Sequence, residues 1–209
     1  MPTPDVEIKV LVLNASLKHG NELSNTQELA ELVLKNMAEH KISSEIIRLA
    51  DVNIPVGLSF KEGDDDDWPD IVAKIKTADV IIFATPVWWG GRSSLMQRVI
   101  ERLDSLDEEY LASGRSALLN KVAGIVITGS EDGAQATLAG IMEVLTFMNF
   151  TLPPECCAYW VGEVGQPPKE DRGKRLKNEA TMHMAKNLAR NLVYYAQLLK
   201  KYPLVVKES

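Results

Sequence analysis

Three stretches of the chain carry side chains suited to holding a ligand, and each follows an apolar run. The first, Asn14 to Thr26, offers hydroxyls at Ser16, Ser24 and Thr26, an amide at Asn25 and an ammonium at Lys18. Those donors suit a single phosphate monoester, and the free N–H groups at the start of a following helix would add to them. Ordinary N-capping by Ser24 or Asn25 is the competing reading. The second stretch, Thr85-Pro86-Val87-Trp88-Trp89-Gly90-Gly91-Arg92, joins two indoles to two glycines. Glycine lets backbone approach closely and an indole gives stacking area, so a planar heterocycle would fit there. The alternative is that Trp88 and Trp89 cap the core or an interface. The third stretch runs from Thr128 to Gln135 with glycines at 129 and 133 that would bring backbone to the same ring. Here a capping box, in which Ser130 or Asp132 begins a helix, explains the residues without a ligand.

What these stretches lack is as informative. Neither G-x-x-x-x-G-K-[ST] nor G-x-G-x-x-G occurs, so a triphosphate cradle and a pyrophosphate turn are both excluded as motifs. The two cysteines are adjacent, Cys156 and Cys157, which gives neither a long-loop disulfide nor a C-x-x-C redox or metal motif, and they read as small core residues. The acidic run Asp64 to Asp67 precedes a helix start and reads as a solvated loop. His40 and His183 have no evident ligand partner. No metal site is expected, and no side chain is assigned as catalytic acid or base.

The elements that must position the three loops alternate strand and helix. Strands are expected at Ile8 to Leu13, Glu45 to Leu49, Val80 to Ala84, Val122 to Ile127 and Cys156 to Val161. Helices are expected at about 25 to 40, after Pro69, over Leu95 to Leu103, at about 134 to 147 and from near Arg172 to about Lys201, where Pro203 stops the last. Residues 50 to 68 and 104 to 120 read as long connections. Five buried strands with intervening helices imply an α/β fold: a three-layer, doubly wound, five-stranded parallel sheet, one domain over 1–209. With strand order 2-1-3-4-5 the loops starting at Asn14 and Thr85 become neighbours at the switch point, where such sheets bind ligands.

Composition narrows the partners. The chain has 209 residues, 45% of them hydrophobic, enough for a sizeable core. Its 23 Lys and Arg stand against 29 Asp and Glu, a formal charge of -6, which opposes nucleic-acid binding as the main task. No apolar run reaches the ~20 residues needed to cross a bilayer, and MPTPDVEIKV lacks the parts of a signal peptide. A cytoplasmic chain without membrane association is expected.

Taken together, the Asn-Ala-Ser loop with Ser24-Asn25-Thr26, the Thr-Pro-Val-Trp-Trp-Gly loop and the Thr-Gly-Ser-Glu-Asp-Gly loop resemble the NAD(P)H-dependent FMN reductase group of flavodoxin-like flavoproteins. The resemblance covers about residues 8 to 161, and its most specific piece is Thr85 to Arg92 with the amphipathic helix that follows. It implies that Ser16, Lys18, Ser24, Asn25 and Thr26 bind the FMN phosphate. It further implies that Pro86, Val87, Trp88, Trp89 and Gly90 hold the isoalloxazine edge while Gly129, Ser130, Asp132 and Gly133 close the other side. The Asn14 to Asn21 loop departs from the alternating Ser/Thr and Gly of one-electron flavodoxins, which favours the reductase branch. Iron–sulfur flavoproteins share a similar aromatic-glycine loop but add a cysteine cluster that this chain lacks.

By that resemblance the chain is an FMN oxidoreductase that takes hydride from NAD(P)H and passes electrons to a quinone, a flavin or a similar small acceptor, working as a homo-oligomer, dimer or tetramer. Two other readings stay open. One is a flavodoxin-type electron-transfer protein whose acidic surface docks redox partners. The other is a non-catalytic domain using Trp88, Trp89 and the 104 to 120 segment for protein binding.

Overall fold

A computed structural model of the chain describes residues 6–130 and 132–205. Five strands form the parallel sheet: β1 (Ile8–Asn14), β2 (Ile42–Arg48), β3 (Val80–Trp88), β5 (Val122–Gly129) and β6 (Cys157–Val161), in the order β2-β1-β3-β5-β6. A two-residue strand, β4 (Gly91–Arg92), folds back antiparallel on the end of β3. This is the doubly wound, flavodoxin-like order expected from the sequence. The chain leaves β1 toward β2 on one side and returns to β3 on the other, so the loops leaving β1 and β3 diverge and open a crevice.

Both faces of the central strands are buried because β1, β3 and β5 are near-continuous apolar runs whose side chains alternate, whereas the edge strand β2 is largely polar. Leu11, Leu13, Ile81 and Phe83 pack with Trp68, Ile71, Met96, Val99, Ile141 and Leu145. Those come from α2 (Trp68–Thr77), α3 (Ser94–Arg102) and α5 (Ala134–Phe147). Val10, Val12, Val80 and Ile82 face the opposite way, onto Leu29 and Val33 of α1 (Asn25–Asn36) and Leu188 and Leu192 of α7 (Glu179–Lys201).

Several expectations are corrected. The connection at 104 to 120 contains α4 (Asp104–Ser113), closed by Gly114 in a left-handed cap. The single C-terminal helix is two, α6 (Pro168–Arg175) and α7, because the Asn178 side chain accepts from the Thr181 amide and starts a new N-terminus. Leu176, within the span expected for the one long helix, is exposed between the two. Strand β3 continues past Ala84 through Pro86 to Trp88, so the aromatic stretch is strand and hairpin rather than loop. The acidic run is not wholly solvated either. Asp66 is buried in an ion pair with Arg102 at 2.7 Å and accepts from the Glu62 and Trp68 amides. Burial pushes its carboxyl up, but those bonds and the guanidinium outweigh burial and hold it below the usual carboxylate range. Among the described residues no helix is long and apolar enough to cross a membrane, and no group of His, Cys, Asp or Glu is arranged to hold a metal ion.

Candidate functional site

The sheet register sets the strand ends level. Asn14 pairs with Ala84, Pro86 pairs with Thr128, and the Ala15 amide continues the ladder to the Ala84 carbonyl at 2.7 Å. Above these ends lies a cavity of about 250 Å³. Its lining brings together Ser16, Lys18, Asn25 and Thr26 from the first stretch, Pro86, Val87 and Trp88 from the second, and Gly129 and Ser130 from the third. Three stretches separated by some 60 and 40 residues in sequence therefore meet at one place.

Local bonds fix the first loop. Asn14 is buried; its Oδ1 accepts from the Ser16 amide at 3.1 Å and its Nδ2 donates to Gln27. Arg48, at the end of β2, donates to the Glu22 carbonyl at 3.0 Å and to Gln27 Oε1 at 2.6 Å, while Asp51 accepts the Gly20 amide at 2.9 Å. Ser24 is the N-cap of α1, its hydroxyl accepting from the Gln27 amide. The free N–H groups of the first turn of α1 thus open beside Ser16 and Thr26, which is the arrangement that favours an anion. Lys18 turns its ammonium to the Leu23 carbonyl at 2.6 Å, so it supplies charge from the loop rather than from an extended arm.

The aromatic hairpin is stitched to the same loop. Ser93 donates to the Ala15 carbonyl at 2.8 Å and its amide donates to Thr85 Oγ1 at 3.1 Å. The two indoles part company: Trp88 lines the cavity and is 49% exposed, whereas Trp89, at positive φ on the hairpin tip, is 91% exposed. In the third loop Gly133 has φ +125°, and a Cβ there would lie 2.5 Å from Gly90 Cα. Gly133, which has no side chain to cap with, is itself the N-cap position of α5, so the helix does not begin at Ser130 or Asp132 as a capping box requires.

Among the residues expected to bind, Ser24, Trp89, Gly90, Asp132 and Gly133 do not line the cavity: Ser24 is occupied as a cap, Gly90 and Gly133 touch behind it, and Asp132 is exposed. The cavity also takes in Leu17, Thr128, Glu163, Gln166 and Asp171, which sequence reasoning missed. Thr128 was within reach, being adjacent to Gly129, and its hydroxyl shares a 2.7 Å hydrogen bond with that of Thr26. Leu17 belongs to the first loop, and Glu163, Gln166 and Asp171 follow β6 in a charged stretch that has no motif.

A flavin phosphate fits this donor set. Hydroxyls from Ser16, Thr26 and Thr128 and the N-terminus of α1 supply donors for the phosphate, an indole and the β3 hairpin supply surface for the ring, and the Gly90–Gly133 contact holds the two loops close together. Asn25 Oδ1 and Gln166 Oε1 are buried at the cavity wall without a partner among the described residues. A larger groove of about 690 Å³ lies along α3, α4 and α5, with Leu58, Val144 and Phe147 on its floor and Glu101, Asp104, Asp107 and Glu143 around it. It offers no hydroxyl or cationic side chain to a phosphate. The cysteines stand apart from the cavity lining, and burial, with Cys156 beside it, pushes the Cys157 thiol up to about 12, so it stays protonated near neutral pH.

Comparison with known proteins agrees with this geometry. Residues 8–163 match the model of the NADPH-dependent FMN reductase family. The chain is 28% identical over 205 residues to the 8-demethyl-8-aminoriboflavin-5'-phosphate synthase of Streptomyces davaonensis, covering 94% of this chain and 80% of that one. It is 30% identical over 191 residues to an iron–sulfur flavoprotein of Methanocaldococcus jannaschii, covering 85% and 93%. A further similarity, 31% over 199 residues, is to a divalent metal cation transporter, MntH, of Mycobacterium bovis; it covers 92% of this chain, which spans only 29% of that protein's length. Among solved structures, RosB with bound 8-demethyl-8-formylriboflavin-5'-phosphate superposes with a TM-score of 0.83 at 27% identity, over 94% of this chain and 82% of that one. The apo form of an NADH:FMN oxidoreductase, EMOB, superposes with a TM-score of 0.67 at 20% identity, over 94% and 92%, a likeness of fold.

Proposed function

The chain belongs to the NADPH-dependent FMN reductase family, and from that premise we propose that it takes hydride from NAD(P)H and delivers electrons to a quinone, a free flavin or a similar small acceptor. The observation that carries this reading is the meeting of the three loops at the switch point, where the hydroxyls and the α1 N-terminus share one cavity with Trp88.

FMN, when bound, supplies the hydride-accepting ring nitrogen and the route to the acceptor. The protein's own task is binding, orientation and exclusion of water. Ser16 and Thr26 donate to the phosphate oxygens, with the α1 dipole and Lys18 offsetting their charge. Pro86 and Val87 present the backbone of β3 to the ring edge, and Gly129 and Ser130 border it from β5. Trp88, which lines the cavity and is half-exposed, would supply the stacking surface for the ring at the side of the cavity nearest solvent. Two cysteines, both in or beside β6, cannot supply the ligands of an iron–sulfur cluster, so none is assigned.

A second reading is favoured by the TM-score of 0.83 to RosB: the flavin phosphate is the substrate and not the resident cofactor. Purification followed by mass determination of any released chromophore, and stopped-flow mixing with NADH and NADPH, separates the two. Stoichiometric FMN that is bleached rapidly by a nicotinamide supports the reductase. A flavin released with an altered mass after turnover supports the second reading, and a colourless protein that ignores added FMN removes both.

A further inference from the structure

The wall of the cavity on the β6 side is built by a segment beyond the region that matches the family model, and one residue ties it to the anion-binding end. Asp171, on α6, is 6% exposed and lines the cavity. Its Oδ1 accepts from the Trp160 indole N–H at 2.7 Å, and its Oδ2 accepts from Asn25 Nδ2 at 2.8 Å and from Arg175 Nη1 at 3.0 Å. Arg175, itself 1% exposed, gives its other guanidinium nitrogen to Glu28, and Arg172 Nε meets the second Glu28 oxygen at 2.6 Å. Two carboxylates and two guanidiniums therefore close on each other. The carboxylate in the wall adds no net negative charge beside a phosphate.

We infer that Asp171 is a positioning residue of the cofactor site, holding the Asn25 amide and with it the first turn of α1 in place for the phosphate. Asn25 and Glu28 are three residues apart and so lie on one face of α1, and α6 grips both. The first-turn N–H groups point where that face lets them. One N–H of Asn25 Nδ2 is donated to Asp171, which fixes the orientation of the amide, and the second N–H and the backbone N–H are the groups that this seat orients toward the ligand.

Gly162 marks how closely this seat is built. A Cβ at Gly162 would lie 2.1 Å from Asp171 Oδ1 and 3.2 Å from Trp160 Nε1. The backbone there is not in the left-handed region, so the requirement is for space alone. Alanine at 162 would push the carboxylate out of its seat while leaving the identities of Asp171, Asn25 and the cavity hydroxyls unchanged.

The inference rests on the FMN reading, and the test separates the two. Apo protein is titrated with FMN and with riboflavin by quenching of flavin fluorescence, for the parent, Asp171→Asn, Gly162→Ala, Asn25→Ala and the Asn25→Ala/Asp171→Asn pair, with thermal melts confirming folding. Positioning predicts that Asp171→Asn and Gly162→Ala each weaken FMN by about tenfold, while riboflavin, which has no phosphate, changes by less than about threefold. In the Asn25→Ala background Asp171→Asn should add nothing further. Were Asp171 only a negative charge in the wall, its removal would tighten the binding of a dianion. Tighter or unchanged FMN binding, or an equal loss for both ligands, overturns the inference while leaving the FMN reading standing. Should Asp171→Asn fail to fold, Gly162→Ala decides by the same criteria. A parent protein that binds neither flavin overturns the reading and the inference together.

Discussion

Gly133 and Gly90 approach backbone to backbone outside the cavity lining: a Cβ on Gly133 would sit 2.5 Å from Gly90 Cα and 2.9 Å from its carbonyl carbon. One glycine belongs to the loop after β5 and the other to the tip of the β3–β4 hairpin, so this contact sets the spacing of the two loops that border the proposed ring site. At Gly133 both the space and the backbone conformation, φ +125°, demand glycine. Gly133→Ala should cost about 1 to 3 kcal/mol of stability and, by pushing the hairpin outward, lower FMN affinity. Gly114→Ala is the control, since Gly114 has φ +69° but open space around it and lies at the end of α4. Urea unfolding and flavin titration of both variants check this: Gly114→Ala should lose stability alone, and Gly133→Ala should lose stability and affinity.

Trp88 and Trp89 are adjacent yet differ in exposure, 49% against 91%, and only Trp88 lines the cavity. Trp88→Ala should slow nicotinamide-dependent reduction or weaken flavin retention by about tenfold, the scale of one lost stacking partner. Trp89→Ala should reduce at the parental rate within about twofold. Stopped-flow absorbance with NADH and NADPH measures the rates, and circular dichroism confirms that each variant folds. Parental behaviour of both variants would move the ring site away from this hairpin.

How far the sequence carries is visible residue by residue. The Ser24 cap, the span of α5 and the central buried strands follow from local signals: a short polar side chain before an apolar stripe, a 14-residue apolar pattern and continuous apolar runs; the strand order agrees with the doubly wound order that the family resemblance implies. The strand expected at Val80 to Ala84 runs further, because Thr85 and Pro86 still stand in register with β5 and the chain then folds back as β4 against Val87 and Trp88, a pairing that the sequence does not announce. Helix α4 was hidden because Asp104 to Ser113 has two leucines among its acids and no sustained stripe. Asp171 was hidden for a different reason. It sits in Pro168–Arg175, where six of eight residues are charged, and its partner Asn25 is 146 residues away, a contact that no local pattern announces.

The anion end makes a sharper demand on chemistry. Ser16 is 5% and Thr26 2% exposed, and each places a hydroxyl at the cavity beside the start of α1. Ser16→Ala or Thr26→Ala should cost about 1.5 to 3 kcal/mol in FMN affinity, the range for a hydrogen bond to a charged oxygen. Riboflavin should bind the parent less tightly than FMN and should respond little to either change. Calorimetric titration with both ligands measures this, and unchanged FMN affinity in both variants would contradict the phosphate assignment.

The Asp66–Arg102 pair makes a prediction about acid. Arg102 donates to Asp66 at 2.7 Å and to the carbonyls of Pro55 and Phe60, with its guanidinium 5.7 Å from the Trp68 ring centroid, so the pair pins the long connection between β2 and α2 to the end of α3. The Asp66 carboxyl is held below its ordinary value in the folded state. The unfolded chain therefore binds more protons at Asp66 between the two values, and stability rises with pH there. Its contribution is fully present above the unfolded aspartate pKa, about 3.9, and is lost as pH falls through the lower folded value. Asp66→Asn should lose about 3 to 5 kcal/mol near neutral pH, because the guanidinium is left buried without its counter-charge. Denaturant unfolding at pH 7 and at successive steps below pH 5 checks both parts. The parent should converge toward the variant as pH falls, and parallel curves across the acid range would show that Asp66 does not carry the linkage.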